Sequence, residues 1–236
     1  MIDLYTWPTS NGHKVHIMLE ECGLPYTAHA VCLGAGEQFE PEFLKFSPNN
    51  KTPAMIDHDG PGGEEVTLFE SGAILLYLSE KTGCFMPKEG KGRYDVIQWL
   101  MFQMASVGPM LGQAHFFIKY GPDHFDDDKL KIGQDRYRNE ANRIYNVLDK
   151  RLKDRTWIAT DEYTIADMAI WPWLRAPQFQ GVDIDDYPNV KRWQEVIGER
   201  SSVKKALTVL QDNNRLSTHN DQEWEIMFGS IQYQRR

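Results

Sequence analysis

Three short stretches place hydroxyls, amides, a carboxylate and a proline where they suit a ligand. At Glu70-Ser71-Gly72-Ala73 an apolar extended run hands over to a helical pattern. Free backbone N–H groups, the Ser71 hydroxyl and the positive end of a helix dipole converge there, which suits a carboxylate. Glu70 stands beside them and suits an ammonium, so the pair complements the head of a free α-amino acid. A plain cap with an acid in its first turn explains the same residues. At Thr9-Ser10-Asn11-Gly12-His13-Lys14 a second helix start offers hydroxyls and an amide but no cysteine. Such donors stabilise a bound thiolate by hydrogen bonding to its charged form; ordinary capping is the alternative. At Ser47-Pro48-Asn49-Asn50-Lys51-Thr52-Pro53-Ala54-Met55-Ile56 an apolar run begins directly after a Thr-Pro bond. Proline removes a donor and holds Thr52 extended, and a cis bond would turn the N–H and C=O of Thr52 outward to pair with an extended ligand. An edge-strand proline fits this stretch equally well.

The elements that must position these stretches follow from periodicity. Ile2 to Tyr5 alternates as a strand, Lys14 to Cys22 has helical spacing with Gly23 as its stop, and Thr27 to Leu33 reads as a second strand. Phe39 to Phe46 is a link. Ala54 to Ile56 and Val66 to Phe69 flank a turn at Asp57 to Gly63, and a helix runs from Ser71 to Lys81. The order β-α-β, link, β-β-α is that of a thioredoxin-like domain, and a redox cysteine of such a domain would sit near Thr9 to Gly12. An extended ligand paired at Thr52, with an amino-acid head at Glu70 and Ser71 and a thiol near Thr9 and Asn11, describes a γ-glutamyl tripeptide thiol, with glutathione the obvious candidate.

The chain of 236 residues suits two modest domains. Its net charge of -8, with basic residues scattered, argues against nucleic acid and anionic membranes as partners. No apolar run is long enough to cross a bilayer, and charged residues break up the first twenty positions, so a cytoplasmic location is expected. Cys22, Cys32 and Cys84 form neither a CxxC nor a metal-ligand spacing; no metal is expected, and Cys22 and Cys32 read as small buried hydrophobes.

At this point the chain resembles the glutathione transferase family, and within it the Nu-like or Ure2-like group. The resemblance spans nearly the whole chain. It rests on Thr9 to Lys14, Gln38-Phe39-Glu40-Pro41-Glu42-Phe43, Ser47 to Ala54, and Leu68-Phe69-Glu70-Ser71-Gly72-Ala73-Ile74. It implies that Thr9 and Asn11 orient and polarise the glutathione sulfur, while Gln38, Lys51, Thr52, Pro53, Glu70 and Ser71 hold the peptide. Arg136 would reach the carboxylates of a second glutathione. Tyr5, within the first strand, is a competing partner for the sulfur. Relatives of this group reduce disulfides with one or two bound glutathiones, or bind glutathione disulfide, in place of protein cysteines; peroxide reduction and conjugation are expected side activities, and a homodimer is implied. A regulatory, glutathione-binding protein of the Ure2-like type with little turnover is the other function the resemblance allows.

The implied architecture is an α/β thioredoxin-like domain over 1–82, a linker over 83–92, an all-helical bundle domain over 93–212 and a tail over 213–236. A long helix over 93–120 should kink or break near Gly108-Pro109, and another should begin at the acidic residues 126–128. Thr164 with Asp167 forms a capping box, with Tyr163 against Met168 as a staple. The tail turns polar around an apolar island at Trp224, Ile226, Met227 and Phe228, and either folds back over the site or stays mobile.

Overall fold

The computed structural model describes residues 1–213 and 220–234. Met1–Thr82 and the described part of Ser202–Arg236 form one compact unit, and Gly83–Ser201 forms another.

The first unit is built on a sheet of order β2-β1-β3-β4, with β1 Ile2–Thr6, β2 Tyr26–Ala30, β3 Ala54–Asp57 and β4 Val66–Phe69. β2 runs parallel to β1, and β3 lies antiparallel to both β1 and β4. Helices α1 (Ser10–Cys22) and α3 (Ser71–Thr82) pack on each other, and α2 (Pro41–Leu44) is a single turn in the link. The core comprises Leu4, Val15, Ile17, Met18, Leu19, Met55, Ile74, Leu75 and Leu78, all without solvent exposure.

Several boundaries differ from the sequence reading for local reasons. α1 begins at Ser10, within the helix start expected over Thr9 to Lys14 and ahead of the apolar spacing that begins at Lys14, because Thr9 caps the Gly12 N–H at 3.2 Å. β2 ends at Ala30 rather than Leu33, since Leu33–Ala35 forms a 3₁₀ turn closed by Gly36 at φ 84°. Cys22 and Cys32 are half-buried rather than buried, and Cys22 Sγ lies 3.7 Å from Thr82 Oγ1.

The second unit is helical: α4 (Gly90–Phe102), α5 (Gly108–His115), α6 (Asp127–Leu152), α7 (Ile165–Leu174) and α8 (Pro188–Gly198). The chain does not break at Gly108-Pro109. A π-helical turn over Gln103–Val107 precedes Gly108, so Pro109 falls in a first turn, where its missing N–H costs little. The capping box at the head of α7 forms as its spacing predicts. Asp167, fully buried, accepts from Thr164 N–H (3.0 Å), Thr164 Oγ1 (3.1 Å), Ile158 N–H (2.9 Å) and Trp193 Nε1 (2.9 Å). Tyr163 packs edge-on against Phe85 and tilted on Trp157.

Beyond α8, α9 (Ser201–Ala206) is followed by α10 (Asp221–Phe228), which packs on the 3₁₀ turn Leu33–Ala35 with Ile226 buried. The described part of the tail therefore folds back on the sheet unit; residues 214–219, 235 and 236 lie outside the described residues. No helix among the described residues is long and apolar enough to cross a membrane.

Candidate functional site

Strand register brings the three chemically suggestive stretches to one end of the sheet. Tyr5 pairs with Ala54, and Ala54 with Phe69. The end of β1, which leads to Thr9 and Asn11, therefore lies beside the start of β3, which follows Thr52 and Pro53, and the end of β4, which leads to Glu70 and Ser71, lies on the other side of that start. Thr6 pairs with Ala30 at the end of β2, so the segment carrying Gln38 leaves from the same edge.

Thr9 occupies the cap of α1 in extended geometry, its hydroxyl oxygen accepting from Gly12 N–H and its hydroxyl proton left to donate. Asn11 lies in the first turn, half-buried. Gly12 is required by a close approach: a Cβ there would sit 2.1 Å from the Trp7 carbonyl oxygen. His16 Nε2 lies 2.9 Å from Thr6 Oγ1, and burial holds its imidazole neutral with a pKa of about 3, which ties α1 to the end of β1 without a charge.

Thr52 is buried and its bond to Pro53 is cis. Neither the N–H nor the C=O of Thr52 makes a hydrogen bond among the described residues. Lys51 donates to Gln232 Oε1 at 3.1 Å, and partial desolvation lowers its pKa. Gln38 is 2% exposed, donates through Nε2 to Leu33 O at 3.2 Å, and leaves its Oε1 without a hydrogen-bond partner among the described residues. A buried acceptor left unmatched favours a ligand donor.

Glu70 is exposed, at φ 71°, a left-handed geometry that costs a residue other than glycine about 1–2 kcal/mol. Its carbonyl accepts from Ile74 N–H at 3.0 Å, so Glu70 heads α3, and Ser71 is buried in the first turn. Ser71 Oγ accepts from Lys14 Nζ at 3.3 Å. Lys14 is 1% exposed, and burial pulls its pKa down to about 7, with Glu70 acting in the opposite sense.

Tyr5, the competing partner for the sulfur, stacks on His29 (4.8 Å) and tilts against Phe46 (4.5 Å) beside the apolar cluster of Val31, Phe43 and Ala54. Burial raises its pKa, with the charge of Asp3 adding to the rise, which favours a packing role over thiolate activation. Arg136 belongs to the other unit. It is exposed on α6, one turn before Glu140, whose carboxyl is held below its usual range chiefly by Arg143 and more distantly by Arg136.

Three features of this end of the sheet were not singled out from sequence. Lys14 stands in the sequence only as the last residue of a polar motif. The close contact at Gly12 shows only in three dimensions. The approach of Gln232 to Lys51 joins positions 181 residues apart.

The chain matches the family models for the glutathione S-transferase N-terminal domain over residues 10–81 and C-terminal domain over residues 107–200. It is 48% identical over 212 residues to the disulfide-bond oxidoreductase YfcG of Escherichia coli, covering 89% of this chain and 96% of that protein. Among solved structures it resembles a glutathione transferase family member from Pseudomonas fluorescens with two glutathione molecules bound (TM-score 0.82, 49% identity, 87% of this chain and 92% of that one). It also resembles a glutathione transferase from Pseudomonas putida with one glutathione disulfide bound per subunit (TM-score 0.82, 46% identity, 88% and 91%). With the sheet-end geometry, both domain models and close relatives over most of its length in agreement, this chain belongs to the glutathione transferase family.

Proposed function

We propose that this protein is a glutathione-dependent disulfide reductase that uses bound glutathione in place of a protein cysteine. The observation that carries the reading is the convergence of Thr9 and Asn11, Thr52 and Pro53, and Glu70 and Ser71 at one end of the sheet, with no cysteine in the loop that opens α1. In this reading residues 1–82 form the glutathione-binding domain. The N–H and C=O of Thr52 pair with the cysteinyl backbone, Glu70 takes the γ-glutamyl ammonium and Ser71 with the head of α3 its carboxylate, while Gln38 and Lys51 hold the remaining peptide.

Thr9 Oγ1 and the Asn11 amide donate to the sulfur and stabilise it as thiolate. That thiolate attacks one sulfur of a substrate disulfide; the S–S bond breaks, the leaving thiolate takes a proton, and a mixed glutathione disulfide remains. A second glutathione thiolate attacks the mixed disulfide, releasing the other substrate thiol and glutathione disulfide, so two glutathiones are oxidised for each disulfide reduced. Arg136 is assigned the carboxylates of the second glutathione. Peroxide reduction and conjugation of electrophiles follow from the same activated thiolate. A cytoplasmic location and assembly as a homodimer belong to the same reading.

Turnover of 2-hydroxyethyl disulfide by glutathione tests it. Wild-type protein should turn the substrate over, and Thr9→Ala with Asn11→Ala should lower kcat/KM by roughly a hundredfold, the scale of lost preorganised donors. No turnover, or turnover unchanged by both substitutions, would remove the proposal.

A further inference from the structure

α1 carries a lysine on its buried face. Lys14 is 1% exposed, among fully buried Val15, Ile17, Met18 and Leu19. Taking an ammonium out of water costs several kcal/mol, so its burial asks for a reason beyond stability. Its ammonium donates to Ser71 Oγ, 3.3 Å away, at the head of the twelve-residue helix α3. The dipole of α3 disfavours a cation at that end. Glu70 supplies an opposing charge, yet Glu70 is also the residue that the reading above gives to the ligand's ammonium.

We propose that Lys14 is a positioning residue for the ligand's α-carboxylate: it orients the Ser71 hydroxyl and supplies the buried positive charge for which that carboxylate is the counter-ion. Bound ligand then completes an alternating row of Lys14 ammonium, ligand carboxylate, ligand ammonium and Glu70 carboxylate. This inference rests on the glutathione reading and names the residue that discriminates one end of the peptide.

The test pairs Lys14→Met with two ligands, glutathione and γ-aminobutyryl-cysteinyl-glycine, which lacks only the α-carboxylate. Calorimetric Kd and steady-state kinetics should show a loss of roughly tenfold to a hundredfold in Kd and KM for glutathione, the range of a charge-assisted contact. At saturating glutathione kcat should stay within about threefold, affinity for the analogue should be unchanged, and Tm should be unchanged or higher. Equal losses for both ligands, or no loss for glutathione, would overturn the inference. Wild-type protein gives a reading that needs no variant to fold: it must bind glutathione at least about tenfold tighter than the analogue, and parity overturns the inference as well. Glu70→Gln and Ser71→Ala separate the two levels. If both leave glutathione affinity intact, the site reading fails; if both weaken it while Lys14→Met does not, only the role of Lys14 fails.

Discussion

Gly12→Ala tests how the loop bearing Thr9 and Asn11 is held. The added methyl would lie 2.1 Å from the Trp7 carbonyl oxygen and 2.8 Å from Thr6 Oγ1, well inside van der Waals contact, and the first of these is backbone that no rotamer change can move. Relief needs a displacement of about 1 Å between the start of α1 and residues 6–7, and overpacking of this kind costs about 1–3 kcal/mol. The same movement stretches the bond from Gly12 N–H to Thr9 Oγ1, now 3.2 Å, and weakening that cap adds about 0.5–2 kcal/mol. The expected loss is therefore about 1.5–5 kcal/mol in urea unfolding. A 1 Å misplacement of catalytic donors can also cost about a hundredfold in rate, so kcat/KM with glutathione and 2-hydroxyethyl disulfide should fall that far in protein confirmed as folded. Stability within about 0.5 kcal/mol of wild type together with wild-type turnover would refute the argument, because it would mean the loop tolerates the shift and does not set the sulfur's position.

Asp167→Ala strips the acceptor from the buried N–H groups of Ile158 and Thr164 and from Trp193 Nε1, and at about 1 kcal/mol or more per stranded donor should cost at least about 3 kcal/mol in chemical denaturation; a change under about 1 kcal/mol would contradict its structural role. Lys14 gives a pH dependence of defined sign. Its folded pKa lies below the ordinary 10.5, at about 7, so the stability it contributes is complete above 10.5 and is lost as pH falls through about 7. At about 1.4 kcal/mol per pH unit the span reaches up to about 5 kcal/mol, so the stability of Lys14→Met relative to wild type should rise between about pH 10 and about pH 6, whereas a constant offset would contradict it.

Local signals carried much of the fold. The capping box of Thr164 and Asp167 was legible because its partners lie three residues apart, and Gly23 marked the end of α1 because it adopts φ 61° after the last turn. The helix start at Thr9 to Lys14 was legible as a polar capping stretch, but periodicity showed only from Lys14, because Ser10, Asn11 and Gly12 are weak helix formers held in the helix by the Thr9 cap and the approach to Trp7. The same limit explains β2, which a 3₁₀ turn ends early, and Pro109, which a preceding π-helical turn accommodates. The stretches that make up the candidate site could be read individually, but their shared sheet end depends on register between strands some fifty residues apart. Lys14 was illegible as a buried group because its partner Ser71 lies 57 residues along the chain, and burial depends on tertiary packing that no local pattern records. The tail's contact with the sheet unit was undecided for the same reason.

The central claim is that disulfide reduction here runs through glutathione sulfur and needs no thiol of the protein. The most direct measurement is glutathione-dependent reduction of 2-hydroxyethyl disulfide by a variant in which Cys22, Cys32 and Cys84 are all replaced by alanine. With its fold confirmed, that variant should retain kcat/KM within about threefold of wild type, since none of the three belongs to the loop at Thr9 to Gly12. A fall to the uncatalysed background would contradict the account.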